Sequence, residues 1–156
     1  MNQSIRLAQR FREVMLDGRW VANTNFMDQL SKINLKQATS KIGEHNSIAA
    51  LAFHVSYYIE GVLNVFKGGN LEIRDKYSFN MPEFESEEGW QEFLSRLWTK
   101  AEEFAMHIES LEESKLSEVF VDEKYGTYQR NIEGMIEHCY YHLGQVTLIS
   151  KLTKEL

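Results

Sequence analysis

The stretch IAALAFHVSYYIEGVLNVFK, residues 48 to 67, constrains the fold most. It is apolar almost all round. A helix of that kind has no solvated face and must be surrounded by other elements. Asn46 and Ser47 precede it and are both good helix-capping residues, while Gly68-Gly69 follows as a stop signal. A helix therefore runs from about residue 47 to residue 67, and it is the most buried element of the chain.

Its partners are legible from their own periodicity. Residues 3 to 16 form a helix with Ile5, Leu7, Ala8, Phe11, Val14 and Met15 on the apolar side, ending near Asp17-Gly18-Arg19. A second segment from about Ala22 carries Phe26, Met27, Leu30 and Ile33. Ser86 caps a helix reaching about Glu113, whose Trp90, Phe93, Leu94, Leu97, Ala101, Phe104, Ala105, Ile108 and Leu111 keep helical spacing against a Glu/Lys-rich opposite face. FVDEKYGTYQR, residues 120 to 130, reads as a tight hairpin-like connection around Gly126. A last helix runs from about Asn131 to Lys154. Between Asn70 and Glu85 periodicity disappears. With a single proline in 156 residues, 43% hydrophobic and 26% charged, the chain predicts one all-α domain over 1–156, a four-helix bundle.

Composition excludes several functions. A formal net charge of −6 without a basic cluster argues against nucleic acid. No apolar run approaches the roughly 20 residues of a membrane span, and MNQSIRLAQRFREV lacks the apolar core of a signal peptide. One cysteine rules out an internal disulfide and suits a reducing, cytoplasmic setting. Cys139 itself reads as a core thiol.

Five histidines remain: His45, His54, His107, His138 and His142. In IEHCYYHLGQVTLI, His138 and His142 stand about 40° apart on one helical face, so both imidazoles can reach one cation. By itself the pair is a weak signal, since chance supplies it often enough. His54, in the middle of the buried helix, is either a hydrogen-bonded core residue or a third ligand. Burying three imidazoles without an ion is hard to satisfy, and three histidines with open positions suit catalysis better than structure. His45 lies outside the apolar face and His107 at the edge of its own, so both are set aside. A zincin would need Glu where Cys139 stands, and no paired Glu-x-x-His motif of a di-iron bundle exists. Tyr58, one turn after His54, and Gln145, above His138, are either ordinary packing and boundary residues or hydrogen-bonding supports of the ligands. Gly144 offers a close approach for another helix.

SIAALAFH followed by HCYYHLGQV resembles the DinB/YfiT-like superfamily of metal-binding four-helix bundles, over nearly the whole chain from FREVMLDGRW onward. FVDEKYGTYQRNIEGMIEHCYYHLGQ is similar to an uncharacterised subgroup. The family pattern is one histidine in the second long helix, then His-x-x-x-His with Arg-Gly-Gln. It falls on His54, His138 and His142, with Gly144 and Gln145 matching and Leu143 in place of the arginine. The resemblance implies a divalent ion, Zn²⁺ or Ni²⁺, a small-molecule substrate, a low-molecular-weight thiol as co-substrate, and a homodimer. It implies a metal-dependent enzyme of the thiol S-transferase or hydrolase type; the other reading is a non-catalytic metal- or ligand-binding bundle with a stress-related role. The ligands are expected near one end of the bundle. Residues 70 to 85 either cover them or merely plug that end with Tyr77 and Phe79.

Overall fold

A computed structural model describes residues 2–154, and these are all-helical apart from turns and one isolated β-bridge. Four long helices carry the core: α1 (Gln3–Met15), α4 (Ile48–Phe66), α5 (Glu87–Glu109) and α7 (Tyr128–Leu152). Three short ones, α2 (Phe26–Leu30), α3 (Leu35–Thr39) and α6 (Glu113–Leu116), fill the links.

Side-chain caps fix where the helices start. The hydroxyls of Ser47, Ser86 and Thr127 accept from the backbone N–H of Ala50, Gly89 and Arg130, satisfying donors that the first turn leaves orphaned. α7 thus begins at Tyr128, three residues before the sequence suggests. Gly68, at φ +89°, ends α4 in a conformation that disfavours any side chain. α5 stops at Glu109, short of Glu113, and the chain restarts as α6. Residues 119 to 127 do turn back on themselves. Phe120 N–H donates to the Gly126 carbonyl, and Val119 bridges Thr127 across a 3-10 turn.

The long helices form a ring in which α1 touches α5 and α7, and α4 touches α5 and α7. Their directions follow from paired residues. Ser4 meets Leu111 and Phe11 meets Phe104, so α1 and α5 are antiparallel. Phe66 stacks beside Phe104, and Phe53 shares a cavity with Phe93, so α4 and α5 are parallel. Tyr58 and His54 meet His138 and His142 in turn, so α4 and α7 are antiparallel.

The parallel α4–α5 pair explains the long aperiodic segment. The chain must return along a helix of 19 residues, about 28 Å, before α5 can start. It does so across the face of α4. Gly61 is buried beneath Ile73, where a Cβ would collide with the isoleucine side chain. Tyr57 Oη accepts from Arg74 N–H at 2.8 Å and lies 3.1 Å from the Arg74 carbonyl. The crossing then passes over His54.

The core is continuous, with Phe11, Phe26, Trp90 and Phe104 fully buried. Trp90 Nε1 donates to the Ile33 carbonyl at 3.0 Å, so its indole is satisfied inside. Truncating Phe104, which packs between Phe11 and Phe66, costs about 3–5 kcal/mol by cavity formation. One expectation is corrected here. α4 is long and apolar enough to cross a membrane by length and composition alone, although 61% of that stretch is buried within the protein. It is packed by α3, α5 and α7.

Candidate metal centre

α4 and α7 lie side by side, and His54, His138 and His142 converge between them. The ring centroids are 5.0 Å apart for His54–His138, 4.7 Å for His54–His142 and 4.5 Å for His138–His142. One ring nitrogen from each lies within 4.8 Å of the others. Two nitrogens bound to one Zn²⁺ at about 2.1 Å stand at most about 4.2 Å apart. The set is therefore near the spacing that one ion requires.

The environment favours neutral imidazoles. His54 and His142 are buried and His138 is half-buried. Burial lowers the pKa of all three, and the histidines depress one another further: His142 acts on His54, and His142 and His54 act on His138, which is pushed down to about 4. Neutral rings are the ligating form. His54 Nδ1 is buried with no hydrogen-bond partner. The Ser78 backbone and the Asp75 carboxylate near this ring pull its pKa weakly upward, yet Ser78 completes no hydrogen bond to Nδ1. An orphaned buried nitrogen on a ring that sits beside two other imidazoles is a situation that a cation can resolve.

The supports fall unevenly. Gln145 Oε1 lies 2.6 Å from His142 Nδ1. An Nδ1–H donating to that carbonyl oxygen leaves Nε2 free for an ion. Tyr58 packs edge-on against His54 and His138, at 5.0 and 5.1 Å. Its hydroxyl, however, donates to Asp75 Oδ1 at 2.6 Å and not to an imidazole, and burial raises its pKa to about 12. Gly144 does not serve a close helix approach: it is exposed, and a Cβ there would meet nothing. Cys139 is fully buried, and burial pushes its thiol pKa upward, as for an inert core thiol. His45 is exposed and His107 is at the boundary, away from the cluster.

Phe79 lies flat on the far side of His54, 4.1 Å between centroids. Tyr77 stands 44% exposed with Lys76 over its ring. The crossing segment therefore covers one face of the His54 ring. The centre lies toward the start of α4, where His54 is six residues, less than two turns, from Ile48, and midway along α7, where His138 stands ten residues from its start and His142 ten from its end. No local pattern points to Asp75 as the partner of Tyr58, since that contact exists only because the crossing folds back on α4.

Two cavities lie along the α4–α7 groove, one bordered by His138 and one reaching the cluster only through Gln145. One, about 270 Å³, is lined by Tyr58, Val62, Arg130, Gly134, Met135 and His138. The other, about 410 Å³, begins at Gln145. A further cavity, about 510 Å³ between α4, α5 and the crossing segment, touches none of the three histidines. Among the described residues no carboxylate hydrogen-bonds a ring of the cluster. Searches for similar proteins find no matching family model, curated protein or solved structure.

Proposed function

We propose that the protein is a divalent-metal-binding four-helix bundle whose ion, Zn²⁺ or Ni²⁺, is held by His54, His138 and His142. The observation that carries this reading is the unpartnered, buried His54 Nδ1 beside two other imidazoles whose ring nitrogens lie within 4.8 Å. Imidazole donors suit both metals.

Such an ion supplies Lewis acidity, which makes a small thiol or water nucleophilic near neutral pH. The chain's own residues prepare the place. Gln145 fixes the tautomer and orientation of His142. Phe79 excludes water from one face of His54. The cavity bordered by His138 leaves room for a small molecule beside the cluster, and a second begins at Gln145. We read the activity as metal-dependent transfer to a small thiol, or hydrolysis, in the manner of the DinB-like proteins that the sequence resembles. The lack of a carboxylate on the cluster favours a thiol over water, because a thiol is acidic enough to ionise without a strong general base.

The same lack favours a second reading, a bundle that binds metal or a ligand without turnover. One experiment separates them. The protein is loaded with Zn²⁺ or Ni²⁺, its metal content measured, and an electrophile offered with a small thiol. Turnover that needs the metal and disappears in His142→Ala supports the enzyme. Stoichiometric metal without turnover across the thiols tested supports the binding role.

A further inference from the structure

The histidine face of α7 does not end at the histidines. His138, His142, Gln145, Ile149 and Leu152 follow one another at spacings of four, three, four and three, a single stripe along the helix. The first two are the candidate ligands, and Gln145 orients one of them. Beyond Gln145 the stripe is entirely aliphatic, and it borders the 410 Å³ cavity together with Ile42, Leu51 and Leu148. That volume falls within the usual range of small-molecule sites, about 300–1,000 Å³. Leu148 and Leu152 are 59% and 57% exposed, so this apolar wall is open to whatever enters.

We infer that this cavity is a tail subsite, and that the ligand of the metal centre is a small amphiphile. Its polar, metal-coordinating head sits over the three histidines. Its aliphatic or aromatic tail lies along Leu51, Leu148, Ile149 and Leu152. The inference rests on the metal reading above and adds the class of molecule. Gln145 to Leu152 spans about 10 Å of helix, enough for a tail of up to about eight carbons. The shape argues against a second copy of the chain as the occupant. A stable dimer buries about 800 Å² on each partner, whereas these leucines line a concavity rimmed by the polar Glu44, His45 and Asn46, with exposed Lys151 beside them on α7.

The test is a series of n-alkyl hydroxamates, from acetohydroxamate to octanohydroxamate, titrated into the zinc-loaded protein. Hydroxamate chelates the ion and only the tail varies. Affinity should rise about threefold to fourfold per methylene, as expected for transfer of apolar surface from water. Leu148→Asp, at an exposed position, should flatten that slope while leaving acetohydroxamate binding within about twofold of the parent. A flat series in the parent protein, with acetohydroxamate still bound, overturns the tail subsite and leaves the metal reading standing. A slope that survives Leu148→Asp also overturns it. So does a dimer that Leu148→Asp splits without changing the slope, since the face then belongs to a second copy. If neither zinc nor any hydroxamate binds, the metal reading itself fails. Perturbation of the Leu148 and Leu152 methyl resonances by octanoate but not acetate in the metal-free protein then decides the cavity alone: a shift supports the apolar site, and no shift removes it.

Discussion

Phe79 and His54 stack face to face, 4.1 Å between centroids and 11° from parallel, although they are separated by a helix end and a crossing of α4. The contact makes the crossing segment part of the candidate centre. Phe79 is 42% exposed, so its removal costs little packing, about 1 kcal/mol. It does uncover one face of a ligand. Phe79→Ala should therefore keep full zinc stoichiometry while releasing zinc to a competing chelator several-fold faster, measured by stopped flow. Unchanged release would mean that Phe79 is packing alone.

The contact between Gln145 and His142 predicts a graded effect of replacing each residue. Gln145→Leu removes the hydrogen bond to His142 Nδ1 but keeps all three ligands, and such partners typically change metal affinity about 10–100-fold. His142→Ala removes a candidate ligand and should weaken binding beyond that range, with helical circular dichroism preserved because the buried ring lies at the α4–α7 seam and the apolar core residues are untouched. Calorimetric titration of zinc into both variants orders them. If Gln145→Leu equals the parent, the orienting role is lost; if His142→Ala binds like the parent, so is the metal centre.

How much of this the chain declared in advance differs by element. The α4 limits were readable because Ser47 and Gly68 are local signals, and α5 was readable through Ser86 and an unbroken apolar stripe. α3 and α6 were not, because four or five residues cannot show a period. α7 starts early because Thr127 caps it, whereas Tyr128 looked like part of a strand-like turn. The three histidines could be grouped from spacing and burial alone. The choice between cover and plug for residues 70 to 85 could not be made: Phe79 reaches His54 only because α4 and α5 are parallel, a tertiary choice that no local pattern records.

The depressed histidine pKa values fix the sign of a pH effect in the metal-free protein. His138 falls from 6.5 to about 4 on folding, through burial first and then through His142 and His54, and His54 and His142 shift the same way. The unfolded chain therefore binds more protons than the native one between these limits, and stability rises with pH there. The contribution is fully present above about pH 6.5 and is lost as pH falls toward 4. Thermal melts of metal-free protein should show Tm dropping over that window, and His138→Phe, which keeps the ring volume and removes the titration, should flatten the drop. Saturating zinc should raise Tm at pH 7 and lose its effect as protons compete for the rings. A Tm independent of pH between 4 and 6.5 in the metal-free parent would contradict the neutral, crowded cluster.

Gly61 gives the sharpest test of the crossing's role, because it acts without touching a ligand. It faces Ile73, and an added Cβ would overlap that side chain close to the backbone, where a branched residue cannot simply swing away. Gly61→Ala raises helix propensity by roughly 1 kcal/mol, yet overpacking of this kind costs about 1–3 kcal/mol, so the net change in stability should be small or unfavourable. Its main effect should be on the crossing. With Ile73 displaced, the neighbouring contacts Tyr57–Arg74 and Tyr58–Asp75 should loosen, and with them the Phe79 cover. Hydrogen exchange at residues 73 to 79 should accelerate by an order of magnitude or more, while the α4 amides keep their protection. Zinc release should then match that of Phe79→Ala. Fast exchange in the crossing with parental zinc release would separate the two and show that the segment packs on α4 without guarding the histidines.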